Sequence, residues 1–93
     1  MSLPSLRRRI DRLDRQLLRL LNERARLALH VGRLKKSRRL PVFDRRREQA
    51  VLRQIARRNR GPLSRASVLQ IYRAILRHSR RLETKKQSID HSR

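Results

Sequence analysis

The 93-residue chain carries 28 Lys and Arg against 7 Asp and Glu, a formal net charge of +21 at pH 7, and no cysteine. Without thiols there can be no disulfide, thiolate nucleophile or Cys-based zinc site. His30, His78 and His91 share no metal-ligand spacing, so neither a metal nor a cofactor is expected. No apolar run approaches the roughly 18 residues of a membrane span and no signal-peptide core is present, which reads as a cytoplasmic chain with no membrane partner.

The first element is written as a seam. Leu6, Ile10, Leu13, Leu17, Leu20, Arg24, Leu27, Val31 and Leu34 follow one another in alternating steps of four and three, an unbroken heptad pattern with a single charged position. Ser5, after Pro4, is the expected cap of a first helix running to about Arg39, with Gly32 its only interior weak point and Pro41 its stop. Asp44 is the cap expected for a second helix, to about Arg58, with Val51, Leu52 and Ile55 on its apolar face. Asn59-Arg60-Gly61-Pro62 is a turn, and Ser64 caps a third helix to about Thr84 with the stripe Val68, Ile71, Tyr72, Ile75, Leu76 and Leu82. One helical domain over 1–84 is expected, followed by a disordered basic tail over 85–93.

No strand pattern exists, so the fold class is all-α, three helices per chain with a long first helix. A first helix of about 34 residues spans about 50 Å, and the two shorter helices cannot cover its seam. The cover expected is a second copy in an intertwined antiparallel homodimer. A first helix broken at Gly32 in a monomer is the alternative.

Polar residues on the buried faces carry the chemistry. A guanidinium cannot lose its proton, and an unpaired one in an apolar seam costs several kcal/mol, so an anion should meet Arg24. Counting back from Ile55 and Val51 at helical spacing lands on Glu48 and Asp44, and counting forward from Tyr72 and Leu76 lands on Ser79 and Glu83. Asp44 as a mere cap, Glu48 paired to a surplus arginine and Ser79 as a small core residue are the plainer alternatives. Together with Lys35, these groups could converge in one pocket inside the bundle. Arg7 lies about 42 Å along the helix from Lys35, so it reaches such a pocket only in an antiparallel partner. Cationic donors, two carboxylates, a hydroxyl and no nucleophile-base pair suit an oxygen-rich dianion handled by electrostatics.

The residues that carry these features resemble the all-helical AroQ-type chorismate mutases. The likeness runs through Leu6-Arg7-x-x-Ile10-Asp11-x-Leu13-Asp14, Leu20-Leu21-Asn22-Glu23-Arg24-x-x-Leu27-Ala28, Val31-Gly32-x-x-Lys35, Pro41-Val42-Phe43-Asp44-x-x-Arg47-Glu48 and Ser79-Arg80-x-Leu82-Glu83. It covers about residues 5 to 84. What it implies is an intertwined homodimer that rearranges chorismate to prephenate in aromatic amino-acid biosynthesis, by a pericyclic [3,3] shift without cofactor or covalent intermediate. It further implies that Arg24 and the partner subunit's Arg7 clamp the substrate carboxylates and that Lys35 donates to the ether oxygen and a carboxylate. Glu48, with Asp44, would hold the ring hydroxyl, Ser79 would touch substrate and Arg47 would support the site. Glu83 falls at a second ether-oxygen donor position, a role that requires its protonated form. Two departures stand out: Arg45 follows the aspartate where many relatives have proline, and arginine replaces most surface acids, as in a supercharged variant.

Isochorismate-pyruvate lyase, similar in fold and basic pocket, is the nearest rival. Nonspecific polyanion binding is expected at this charge, but a nonenzymatic helical dimer evolved for nucleic acid lacks its stacking residues, since Phe43 and Tyr72 are the only aromatics. A mutase-like regulatory domain cut from a larger protein is a third reading.

Overall fold

A computed structural model describes residues 1–85 as three α-helices, α1 (Leu3–Ser37), α2 (Arg45–Arg58) and α3 (Arg65–Glu83). No strand occurs among them, and no helix is long and apolar enough to cross a membrane. Of the expected basic tail, residues 86–93 lie outside the described set.

Helix α1 is capped three residues earlier than expected, at Ser2 rather than Ser5. The Ser2 hydroxyl accepts from the Ser5 N–H at 3.1 Å, and Ser5 answers by accepting from the Ser2 N–H, a reciprocal capping box with Ser5 at its third helical position. Pro4 sits in the first turn, where its missing N–H costs nothing. The helix ends before Arg39 rather than at it. Arg39 takes φ 55°, its N–H bonds the Lys36 carbonyl, and the Leu40 N–H reaches back to the Lys35 carbonyl at 2.8 Å, the two bonds of a Schellman stop. Asp44 and Ser64 cap α2 and α3 as expected, accepting from the Arg47 and Ser67 N–H groups. Asn59 builds the turn between them, accepting from Gly61 N–H and donating to the Leu63 carbonyl.

Helix α3 packs on the C-terminal part of α1 and on α2. Only Ala28, Gly32, Val51 and Leu76 are buried among the described residues. Gly32 is no weak point: α1 is continuous through it, and a Cβ there would stand 2.6 Å from the Glu83 carbonyl oxygen and 2.7 Å from its Cα. Its missing side chain lets the two backbones touch. The seam ahead of this contact is bare, with Ile10 55%, Leu13 61%, Leu17 55% and Leu20 52% exposed. The molecule measures 54 × 34 × 14 Å, little thicker than one helix with its side chains.

Candidate functional site

The contact at Gly32 determines what lies one turn further along α1. Lys35 emerges beside the last turn of α3, and its ammonium donates to the Glu83 carboxylate at 2.6 Å and to the Val42 carbonyl at 2.7 Å. Both partners of the ion pair are largely covered, with side chains 18% and 13% exposed. An ammonium has three N–H donors, so one remains for a ligand. The Val42 bond also pins the linker ahead of α2. Asp44 then caps α2, which sets Arg47 and Glu48 on its first turn.

Helix α3 supplies the opposite wall through Leu76, Ser79 and Glu83. The Ser79 hydroxyl accepts from the Arg24 guanidinium of α1. Arg80 donates to both carboxylate oxygens of Glu48 and lies over the Phe43 ring, 5.2 Å from its centroid.

Of these groups, all but Arg80 and Phe43 line a groove of about 540 Å³. Arg24, Lys35, Asp44, Arg47, Glu48, Ser79 and Glu83 supply most of its polar lining, and Leu27, Val31, Leu34, Val51 and Leu76 are among its apolar walls. Seven of the eight residues expected at the site are therefore brought together from three helices and the linker ahead of α2. Arg7 is not; it stays near the start of α1, on the order of 40 Å from Lys35 along the helix. Arg24 departs from expectation in one respect. Its partner within the chain is a neutral hydroxyl, which takes one of its five N–H donors and leaves its charge unneutralised. By contrast, Glu83 is matched by Lys35 and Glu48 by Arg80. A positive charge against apolar walls, in a groove of ligand size, is an arrangement for an anion.

Sequence reasoning missed Gly32 as a contact point, the Val42 carbonyl, and Arg80 with Phe43. Phe43 could have been flagged as the sole phenylalanine just ahead of a cap. Arg80 stands in the Ser79-Arg80-x-Leu82-Glu83 likeness but takes no role from it, because in a chain so rich in arginine the residue type carries little information.

The family described as chorismate mutase type II matches residues 6–84 of the chain. A bifunctional chorismate mutase/prephenate dehydratase of Aquifex aeolicus is 39% identical over 87 residues, covering 89% of this chain and 24% of the relative. The protein of the same description from Pseudomonas aeruginosa is 44% identical over 79 residues, covering 80% and 22%. The chain thus spans about a quarter of the length of these curated relatives. Among solved structures, chorismate mutase (form II) from Thermus thermophilus superposes with a TM-score of 0.88 at 34% identity, covering 90% of this chain and 96% of that one. A conserved hypothetical protein from Pyrococcus furiosus aligns at a TM-score of 0.73 and 33% identity, covering 87% and 93%.

Proposed function

The chain belongs to the type II chorismate mutase family, and from that membership we infer that it rearranges chorismate to prephenate as an antiparallel homodimer. The observation that carries this reading is the Arg24 guanidinium, bonded to a hydroxyl rather than to an acid and facing a groove with apolar walls. A substrate carboxylate would supply the missing counter-charge. The reaction needs no nucleophile and no proton transfer. It needs the substrate held in a folded conformer, and donors where negative charge develops as the C–O bond breaks. Arg24 and the partner subunit's Arg7 would clamp the two carboxylates. Lys35 would give its remaining N–H to the ether oxygen, Glu48 with Asp44 would accept from the ring hydroxyl, and Ser79 would fix Arg24. Arg47 would add positive charge at the α2 end, and Glu83 would be the second group at the ether oxygen.

The homodimer is supported by the groove itself. Leu27, Val31 and Leu34 line it and are also seam residues, 64%, 42% and 50% exposed in the single chain. A second α1 laid on the seam would cover them and close the groove. The deciding experiment is chorismate consumption by purified, nucleic-acid-free protein, with prephenate as the expected product. Arg24→Ala should lower kcat/KM by at least about 10²-fold, since it removes a charge-assisted contact in a site that the second α1 would shield from water. Salicylate from isochorismate would instead favour the lyase. Near-normal turnover by Arg24→Ala would remove that residue from the site.

A further inference from the structure

We propose that Arg80, stacked on Phe43, is a positioning residue that holds the Glu48 carboxylate away from the cations of the groove and presents it to a hydroxyl of the ligand. This rests on reading the groove as a site for a hydroxylated dianion. Glu48 lines the groove together with Arg24, Lys35 and Arg47. A carboxylate free to swing there would pair with one of those cations, and every cation so taken is lost to the carboxylates of the substrate. The protein would compete with its own ligand.

Arg80 prevents this from outside, because it does not line the groove. It donates to both Glu48 oxygens, so the carboxylate has one preferred orientation, and the Glu48 side chain is only 19% exposed. A carboxylate offers about four lone-pair sites, so two remain to accept from a hydroxyl. The guanidinium is oriented in turn by the Phe43 ring beneath it. Phe43 precedes the Asp44 cap, and Arg80 follows the Ser79 that holds Arg24. One clamp therefore ties the linker, the first turn of α2 and α3 to a single carboxylate geometry. Both bonds come from one guanidinium nitrogen, Nη1, so what a lysine could not supply is the planar group that lies over Phe43.

The test is steady-state kinetics with chorismate on wild type, Arg80→Gln, Arg80→Lys, Glu48→Gln and the double variant Arg80→Gln/Glu48→Gln, each checked for folding by circular dichroism. Arg80→Gln should raise KM about tenfold with kcat changed less than about threefold, the size expected when charged hydrogen bonds are redirected. Arg80→Lys should fall between it and wild type. Adding Arg80→Gln to Glu48→Gln should then change KM less than about twofold, because the carboxylate through which Arg80 acts is gone. An unchanged KM in folded Arg80→Gln overturns the proposal, as does multiplication of the two KM effects in the double variant. Should Arg80→Gln not fold, Arg80→Lys and Phe43→Leu carry the same comparison. A separate readout needs no turnover: hindered guanidinium N–H resonances of Arg80 in NMR spectra should be resolved in wild type and collapse in Glu48→Gln. If wild type leaves chorismate untouched, the functional reading fails while the resonances still decide the clamp; resonances already collapsed in wild type refute it.

Discussion

In the proposed site, Glu83 would be an acceptor where the reaction needs a donor. A carboxylate can only accept, and within the chain it accepts from Lys35 at 2.6 Å. Beside an ether oxygen gaining negative charge, the ionised form would repel, and the protonated form would donate. Glu83→Gln supplies a permanent donor of the same shape, so its kcat/KM at pH 8 should equal or exceed that of wild type. Lys35, Arg24, Arg47, Asp44, Glu48 and His30 also face the groove. All of them are common to both proteins, so the ratio of the two activities isolates Glu83. Steady-state kinetics of both proteins at pH 8 check this, and a folded Glu83→Gln variant without activity would remove Glu83 from the ether oxygen. Residues that break an apolar pattern are the legible ones: Arg24 in a leucine seam, Glu48 and Ser79 on core-directed stripes. Arg80 breaks no pattern, since its role comes from contacts with Glu48 and Phe43 that lie 32 and 37 positions away in the chain.

Two positions of α1 show where local rules and tertiary packing part company. By helix propensity Gly32→Ala should stabilise the chain by about 1 kcal/mol. The new Cβ would meet Glu83 backbone atoms at 2.6 and 2.7 Å, and backbone cannot step aside as a flexible side chain can. Overpacking of this kind costs about 1–3 kcal/mol, so Gly32→Ala should be destabilising on balance and should also push Glu83 away from Lys35. Arg39 is the reverse case, a non-glycine residue at φ 55° in a Schellman stop that favours glycine. Arg39→Gly should stabilise by about 0.5–1 kcal/mol. Urea melts of the two variants should move in opposite directions from wild type; equal and small shifts would contradict the close approach at Gly32. The same stop explains why the sequence places the end of α1 two residues late, since without a glycine it carries no C-cap signal. Ser2 and Ser5 are hard to tell apart for a related reason. Both are capping types three residues apart, and the reciprocal bond uses both. Asp44 and Ser64 stand alone ahead of their helices, and both are legible.

At the scale of the molecule, the seam is the feature that one chain cannot satisfy. Its aliphatic positions recur from Leu6 to Leu34, yet α3 covers only the part of α1 from about Arg24 onward, and Ile10, Leu13 and Leu17 face solvent. A body 14 Å thick has no second layer to bury them. The break at Gly32 that would have let a monomer fold back on itself does not occur. Pairing two such seams antiparallel would bring the partner subunit's Arg7 level with the groove, which Arg7 cannot reach along its own helix. That arrangement has a consequence no single-chain site shares. Arg7→Ala and Lys35→Ala should each be nearly inactive as homodimers, because every site lacks one cation. In a mixed dimer one site collects both defects, and the other takes Lys35 from the first variant and Arg7 from the second. An equimolar mixture at exchange equilibrium should therefore recover about one quarter of wild-type activity, half the dimers being mixed and half their sites intact. At +21 per chain the exchange is best run in moderate salt, where screening over about 8–10 Å weakens repulsion between the subunits. Activity that stays at the level of the parents, with mixed dimers verified by mass spectrometry, would mean that each chain builds its site alone.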